Sequence, residues 1–380
     1  MVYIALALWT YIFFYHANSF SKKTTIAFNS KKWYKMSEQK ISFLAIIILL
    51  FFATIRNPSV GYDTPNYFEN IKRMVDSQTI YAYEYEILFQ IINFIPAIVF
   101  KNYYAFNVML LISYSIILFN VSYASKMLSK DISLTIFLYV CVDVYLRSFG
   151  QLRQGIAISI LILSLTFVKE RKPIQFLASV FLAMCFHKTA IIFAPVYLFN
   201  FFKTKYFHYL LILVLAILFC VFNKPIIKLF CDIFGFEYYN TYISKDYGRE
   251  NFSVIGIVEI ISITFIFLFF LFYKIKYEKI NSKINSNYNL FLNVLFLCVI
   301  MYYVSFILQK PELFGRLVYY YFWSIIFIVP SFLETIENIK IKKIAKYAMM
   351  LVGFTYLVFS IYLNDAYGIK NYITIFDKNI

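Results

Sequence analysis

Several residue types and motifs are scarce in this chain, and each scarcity argues against a class of protein. Glycine and proline are few, with 9 and 8 among 380 residues. No glycine-rich nucleotide loop, HExxH helix or Ser-His-Asp grouping is visible. The five cysteines form no CxxC pair or regular framework. The sequence therefore argues against a nucleotide-driven enzyme, a zinc protease and a disulfide-stapled module.

Apolar residues are abundant, at 62% of the chain with a mean hydropathy of +0.70. Soluble domains typically contain about 45–50%. A chain of this length cannot bury such a surplus in one water-soluble core, so we predict an all-α, polytopic membrane protein. The many Phe and Tyr residues are typical of an AT-rich genome, so aromatic-rich stretches carry little weight as sugar-binding signals.

Apolar runs long enough to cross a bilayer predict a bundle of about twelve transmembrane helices. The run 87–100 carries Gln90 and Asn93, and we predict a half-helix that dips into the outer leaflet. The short runs 174–186 and 188–202 are either two spans or one bent or re-entrant pair. The first run lacks a basic segment and a cleavage site, which indicates a retained span. The predicted spans are 2–16, 41–56, 104–125, 131–148, 151–168, 174–186, 188–202, 207–223, 252–273, 289–308, 315–333 and 345–363.

Basic residues predict the orientation, because Lys and Arg accumulate in cytoplasmic loops. They cluster in alternate loops, namely 17–40, 126–130, 169–172, 203–205, 274–283 and 340–346. Nearly all of the net charge of +16 falls on that side, so the charge needs no nucleic-acid partner. Both termini are then predicted outside. The predicted outer segments are 56–103, 149–152, 224–251, 309–314 and 364–380.

Two polar clusters follow the second span on this predicted outer side. The first runs from Arg56 to Tyr67, where Gly61 breaks the helix and Asp63 follows it. Arg56 is either a functional cation or an arginine that snorkels at a helix exit. Glu86 opens the half-helix, where an acid is either a helix cap or a functional group.

Two further features lie around the junction of the fourth and fifth predicted spans. Asp143 and Arg147 are four residues apart, which favours a structural ion pair. Arg153 lies at a helix N-terminus, where the macrodipole disfavours a cation unless an anion is bound nearby. The neighbouring Gln154 and Gly155 complete this cluster, and Gly155 permits close backbone approach. We therefore interpret Arg153 as an anion-binding residue.

The last two clusters complete a predicted outer set of cations. His187 and Lys188 interrupt two short apolar runs, and ionisable groups at membrane depth are usually functional. Arg316 and Tyr319 begin another span, where the tyrosines could equally form an aromatic belt. Three arginines and a His-Lys pair on one side suit a phosphorylated, membrane-bound substrate. Such a substrate would bring its own leaving group.

In order and spacing, these motifs resemble those of the EpsG family of Wzy-type polysaccharide polymerases. The resemblance covers 56–321 and implies one integral membrane polymerase domain over 1–380, with a GT-C-like or Wzy-like bundle. Either Glu84 or Glu86 is the counterpart of the family's glutamate. The matching motifs are Arg56…Gly61-Tyr62-Asp63-Thr64…Tyr67, Glu86-x-Leu88-Phe89, Leu152-Arg153-Gln154-Gly155-x-Ala157, Phe186-His187-Lys188-Thr189-Ala190 and Gly315-Arg316…Tyr319.

The resemblance implies an enzyme of capsule, exopolysaccharide or O-antigen synthesis in the bacterial cytoplasmic (inner) membrane. It would join oligosaccharide units carried on undecaprenyl pyrophosphate at the outer face, beside a flippase and a chain-length regulator, without a metal or cofactor. The implied catalytic residues are His187, Asp63 and Glu86. The implied pyrophosphate ligands are Arg153, Arg316, Arg56 and Lys188, and the implied supporting residues are Gln154, Gly155, Tyr319 and Tyr67.

Other functions fit the same composition. An O-antigen ligase would share the donor, although ligases usually carry a larger outer loop. A flippase or transporter of lipid-linked oligosaccharides would also need cations, spread across the bilayer. A membrane O-acetyltransferase would place its motifs on the inner side, and a structural assembly partner would need no site at all.

Overall fold

The computed structural model describes residues 2–23, 44–80, 85–201, 206–234, 254–280, 286–309, 311–363, 365 and 367–377. Most of the predicted basic linker 17–40, Glu84 and the loop residues 202–205 and 281–285 lie outside these ranges. The described part is helical throughout, as predicted, apart from connecting loops and one isolated bridge between Arg56 and Thr374.

Ten α-helices lie among the described residues before position 202. They are α1 (Val2–Lys23), α2 (Leu44–Thr54), α3 (Thr64–Ser77), α4 (Ile87–Val99), α5 (Asn102–Leu128), α6 (Ile132–Cys141), α7 (Val144–Gly150), α8 (Leu152–Lys169), α9 (Pro173–Met184) and α10 (Pro195–Phe201). A 3-10 turn, Lys188–Phe193, separates the last two.

Seven α-helices follow among the later described residues. They are α11 (Tyr206–Val221), α12 (Asn223–Phe234), α13 (Val254–Ile280), α14 (Ser286–Leu308), α15 (Pro311–Phe322), α16 (Ile325–Glu334) and α17 (Ile339–Val358), which continues as a π-helical turn, Phe359–Leu363.

Seven apolar stretches in the described residues are long enough to cross a bilayer, so the chain is a multi-pass membrane protein. The stretch 207–229 adds an eighth if its two helices, bent by 90°, form one span. Shorter apolar helices cover five more of the predicted segments, including the predicted half-helix at Ile87–Val99. The seven spans are Tyr103–Leu128, Ile132–Gly150, Leu152–Lys169, Val254–Lys276, Asn287–Leu308, Phe314–Glu334 and Ile339–Leu363.

Two predicted segments differ in detail from the structure. The predicted span 131–148 is interrupted at Asp143, whose left-handed φ of +63° separates α6 from α7. The predicted span 207–223 is followed by α12, where the sequence predicts an outer loop. In both places a polar residue, Asp143 or Asn223, marks the break within an otherwise apolar run.

The helices form two compact units. The first comprises Met1–Ile191 and Ile325–Ile380, and the second comprises Ile192–Ser324. In the first unit, α5 packs against α8, α8 against α9, and α6 against α1, α16 and α17. In the second, α14 packs against α10, α11, α13 and α15.

The first unit places residues from several predicted cytoplasmic loops at one end. The Lys346 ammonium lies 2.6 Å from the Asp131 carboxylate, which joins the start of α17 to the start of α6. Lys169 reaches the carbonyl oxygen of Met127 at 3.4 Å, which joins the ends of α8 and α5. The motif residues of this unit lie at the other ends of these helices.

Candidate functional site

The loop between α2 and α3 is held against the end of α7, and its shape requires Gly61. Gly61 has a φ of +105°, and a Cβ atom there would lie 2.2 Å from the carbonyl oxygen of Phe149. The Thr64 hydroxyl donates to that oxygen at 2.7 Å, and the Asp63 N–H donates to the Gly150 oxygen at 3.2 Å. These bonds fix Asp63 at the start of α3.

A C-terminal segment, residues 367–375, docks on this loop, and we call it the docked tail. The Tyr3 hydroxyl donates to the Ile369 oxygen at 2.6 Å, and the Tyr372 hydroxyl donates to the Phe52 oxygen. The sequence predicts only an outer segment here. Four main-chain bonds of 2.9–3.0 Å join tail and loop: Asn57 N–H to Ile373, Ile375 N–H to Ile55, Gly61 N–H to Gly368, and Tyr62 N–H to Tyr367.

Arg56 is fully buried beneath this junction. Its guanidinium carbon lies 4.5 Å from the ring centre of Phe149 and 5.3 Å from that of Tyr114, whose hydroxyl accepts from Nη1 at 3.2 Å. The alternative of a snorkelling arginine does not fit this burial, because snorkelling would carry the charge to the membrane surface. Arg56 instead packs beneath the loop, against the rings of Phe149 and Tyr114.

The central contact of the site is an ion pair between Glu86 and Arg153. Glu86 Oε2 lies 2.7 Å from Arg153 Nη1, while Oε1 accepts from the Lys188 N–H at 3.1 Å. Glu86 occupies the N-cap position of α4, but its side chain makes no capping bond there. The carboxylate thus joins the starts of α4, α8 and the 3-10 turn. It also supplies the negative charge that the N-terminus of α8 favours.

Aromatic and polar side chains surround this pair. Arg153 lies 4.6 Å from the ring centre of Tyr85, and its guanidinium also interacts with the Tyr67 hydroxyl. The same hydroxyl lies 3.4 Å from Asp63 Oδ2. The structure therefore brings Asp63, Tyr67, Glu86 and Arg153 together, as a group that the sequence distributes over three motifs.

His187 completes this group from the turn after α9. Its Nδ1 atom lies 2.7 Å from the Thr189 hydroxyl, and its ring is half-buried. The turn is tied to α4 because the Leu88 N–H donates to the Cys185 oxygen at 3.1 Å. Lys188 contributes its main-chain N–H to Glu86, and its side chain is exposed.

The electrostatics of the group favour an ionised Glu86. Burial alone would raise the pKa of this carboxyl, but Arg153, His187 and the Lys188 N–H more than offset it. The pKa therefore lies below its ordinary value of 4.5. Burial raises the pKa of Tyr67, although Arg153 opposes the effect, so this hydroxyl stays protonated and can donate.

The ion pair is recessed from one end of the first unit. Helices α4 and α5 are joined by a two-residue corner at 100–101, so they run in opposite directions. Glu86 starts α4, which puts it about 20 Å from that corner at a rise of about 1.5 Å per residue. The outer face of α4 is apolar and exposed, as expected for contact with lipid, through Ile87, Ile91, Ile95 and Ile98.

The exposed face of helix α3 is charged, unlike the apolar exposed face of α4. Glu69, Arg73 and Asp76 are exposed along it, and Glu69 pairs with Lys72 at 3.2 Å. Charged side chains at membrane depth face water or protein rather than lipid. This charged face of α3 therefore suits contact with water or protein, whereas the apolar face of α4 suits contact with lipid.

The first turns of α8 pack closely against α7. A Cβ atom on Gly155 would lie 2.6 Å from the Cβ of Ser148, so the close approach predicted for Gly155 is confirmed. Gln154 is buried beside it. Asp143 accepts a hydrogen bond from Ser360, and the Arg147 guanidinium lies 4.6 Å from the ring centre of Tyr367. Arg147 thus contacts the docked tail, and Asp143 holds the π-helical turn that precedes it.

Arg316 and Tyr319 belong to the second unit, on α15. Arg316 is exposed, and Tyr319 is half-buried with its ring 6.3 Å from that of Phe322. Gly315 precedes them. A Cβ atom added there would meet no neighbour within 4 Å, so no close approach requires glycine. Their predicted roles in substrate binding stay predictions.

A model of the EpsG family matches residues 40–374. The chain belongs to the EpsG family. EpsG is a family of Wzy-type polymerases, so the resemblance seen in the motifs is confirmed. The match extends beyond 56–321 and includes most of the docked tail. No curated protein and no solved structure matches the chain.

Sequence reasoning missed three participants in the site. Tyr85 contacts Arg153, Thr189 contacts the imidazole of His187, and Tyr114 contacts Arg56. Tyr85 adjoins the motif residue Glu86, and Thr189 lies within the motif of His187, which is the signal that could have given each of them a role. Tyr114 lies in the middle of an apolar helix, where tyrosines are too common in this chain to be distinctive.

Proposed function

We propose that this EpsG-family protein polymerises oligosaccharide units carried on undecaprenyl pyrophosphate, at the outer face of the bacterial cytoplasmic membrane. The observation that carries the proposal is the recessed group around the Glu86–Arg153 ion pair. It combines a guanidinium for a diphosphate, a half-buried imidazole and two carboxylates within a membrane-spanning unit. The product would be a capsule, exopolysaccharide or O-antigen chain.

In the proposed reaction, a hydroxyl of the acceptor unit attacks the anomeric carbon of the donor unit. The bond from that carbon to the pyrophosphate oxygen breaks, and the lipid pyrophosphate leaves with the negative charge. We assign Arg153, with Lys188, to binding this group and stabilising its charge. The buried Arg56 would hold the loop that carries Asp63 rather than contact the pyrophosphate.

Among the three candidate bases, the geometry favours His187. Glu86 is paired with Arg153 and has a lowered pKa, so it is a poor proton acceptor. The Thr189 hydroxyl can orient the imidazole through Nδ1. We therefore propose that His187 accepts the hydroxyl proton while the Glu86 carboxylate stabilises the imidazolium. Asp63 would orient the acceptor together with Tyr67.

The proposed topology follows from the basic loops, with both termini outside and about twelve spans when the shorter helices are included. A lipid-linked substrate would then enter from the bilayer along the apolar face of α4. The growing glycan would lie in an aqueous path along the charged face of α3. A chain-length regulator and a flippase are the proposed partners.

The test is deletion of the gene in its natural host, followed by complementation and analysis of the polymer ladder. We expect Arg153→Ala and His187→Ala to give single repeat units without long chains at normal expression. Arg153→Lys should restore little, because an ammonium lacks the planar donor pair of a guanidinium. Lys172→Ala, which removes an exposed cation at the turn between α8 and α9, is the matched control and should restore full-length polymer.

The outcomes separate the candidate functions. Loss of the repeat units from the outer surface would favour a flippase, and normal ladders from both alanine variants would refute the assignment of Arg153 and His187. Accessibility labelling of a cysteine at position 153 provides an independent check. Labelling only from the cytoplasmic side would refute a reaction at the outer face.

A further inference from the structure

Two carboxamide side chains lie fully buried between α3 and α4 with unsatisfied polar atoms. Asn93 on α4 has no hydrogen-bond partner for either Oδ1 or Nδ2 among the described residues. Asn70 on α3 likewise has none for Oδ1, and its Nδ2 reaches only the Met74 sulfur at 4.0 Å. Buried amides normally satisfy these atoms, because leaving them unpaired costs free energy.

The two residues face the interface between α3 and α4, which we call the seam, and they lie at the same level along it. Helices α3 and α4 run in the same direction, since the Tyr67 and Phe89 rings lie 5.1 Å apart near their starts. Near their ends, Gln78 Nε2 approaches the Ala97 oxygen at 3.5 Å. Asn70 is three residues beyond Tyr67 and Asn93 is four beyond Phe89, so each lies about one helical turn further along.

This seam continues directly from the candidate site. The Tyr67 hydroxyl interacts with Arg153, and Tyr67 and Phe89 both contact the ring of Tyr85. The carboxamides therefore form the next layer beyond the ion pair, towards the end of the first unit at which α4 meets α5. The other side of α3 carries the exposed charges of Glu69, Arg73 and Asp76.

We propose that Asn70 and Asn93 form a subsite for sugar hydroxyl groups of the lipid-linked glycan, which rests on the function proposed above. A carboxamide both donates and accepts hydrogen bonds, as a hydroxyl does, whereas a phosphate would call for cationic partners. The site therefore separates the two parts of the substrate. Charged groups bind the diphosphate, and neutral amides bind the glycan.

Binding requires the seam to open by about the width of a hydroxyl group. Helix α3 is short, and its C-cap residue Gln78 has a left-handed φ of +53°, so the helix ends in a turn rather than in a neighbouring span. An opening motion would exchange unsatisfied amide atoms for amide–hydroxyl bonds. The unpaired state of the amides makes that exchange favourable.

The test compares Asn93→Leu and Asn70→Leu with the parent protein. If an amide only occupies space in the seam, leucine of similar size should keep both folding and activity, because the unpaired atoms disappear. If it binds sugar hydroxyls, leucine should keep the midpoint of thermal unfolding at or above that of the parent but weaken glycan binding by about tenfold or more.

The probe is the oligosaccharide released by mild acid from the carrier lipid that accumulates in the deletion host. Its affinity for the purified, full-length protein in lipid nanodiscs is measured by calorimetry. Asn120→Leu is the matched control, because Asn120 is also buried in the first unit but donates to Ser159 at 3.1 Å. This control should lower thermal stability and leave the affinity for the oligosaccharide unchanged.

The two proposals fail in different ways. Binding of the oligosaccharide by Asn93→Leu and Asn70→Leu with the affinity of the parent overturns the subsite, whatever the ladder shows. Persistence of long polymer in the deletion host overturns the proposed function instead. Weaker binding by both leucine variants, with unchanged thermal stability and shorter ladders, supports the subsite.

Discussion

The ion pair between Glu86 and Arg153 allows a quantitative test of the site geometry. Their side chains are 10% and 21% exposed, and the charged atoms lie 2.7 Å apart. At an effective dielectric constant of about 20, Coulomb attraction at that distance is about 6 kcal/mol. Desolvation removes much of it, so we expect a net coupling of about 2 kcal/mol, between the values typical of exposed and buried pairs.

The measurement is a double-mutant cycle with Glu86→Gln, Arg153→Gln and the double variant. The free energy of unfolding is obtained by titrating the purified protein in mild detergent with dodecyl sulfate. The exposed pair Lys72–Glu69, at 3.2 Å on α3, is the matched control and should give a much smaller coupling. Because Gln keeps the shape of Glu, Glu86→Gln removes the charge of the carboxylate with little change in its packing.

The coupling should depend on pH with a defined sign. The folded pKa of Glu86 lies below the ordinary value of 4.5, so its contribution is fully present above that value. It should be lost as the pH falls from 4.5 through the depressed folded pKa. A coupling below about 0.5 kcal/mol at neutral pH, or one that survives unchanged in strong acid, would refute this account of the pair.

Two further substitutions test the loop and the tail. Gly61→Ala should destabilise the protein by more than about 2 kcal/mol, because the methyl group meets the Phe149 carbonyl at a strained φ, whereas Gly315→Ala should be nearly neutral. Equal yields of monodisperse protein for both variants would contradict this. Tyr372→Phe should cost about 1 kcal/mol and increase amide exchange in the tail, since it removes the bond to Phe52. Unchanged exchange there would show that this bond does not hold the tail.

The helical class and most apolar segments could be predicted because both follow from local composition. Breaks within apolar runs were harder to place. Asp143 interrupts a predicted span through a left-handed backbone conformation, and no neighbouring glycine or proline announces it. The Asp143 side chain accepts a hydrogen bond from Ser360, more than two hundred positions away, a contact that no local pattern encodes.

The candidate site was predictable as a set of residues but not as a set of contacts. Charge and helix position single out Arg153 and Glu86 separately, and each has an ordinary explanation when taken alone. Their pairing depends on how α4 packs beside α8, which no local pattern encodes. For Arg56, charge alone predicts a surface role, and only the packing of two aromatic rings around it reveals complete burial.

The docked tail joins a segment that is synthesised late to a loop that is synthesised early. Its Tyr372 hydroxyl bonds to Phe52, 320 positions earlier in the chain. During translation, the loop that carries Asp63 is made long before the tail, so at first only its bonds to the end of α7 can form. The bonds between loop and tail can therefore form only after residues 367–375 have been made and lie on the same side of the bilayer as the loop. A bulky fusion placed at residue 375 would interfere with this last step even though it lies far from Asp63 along the chain.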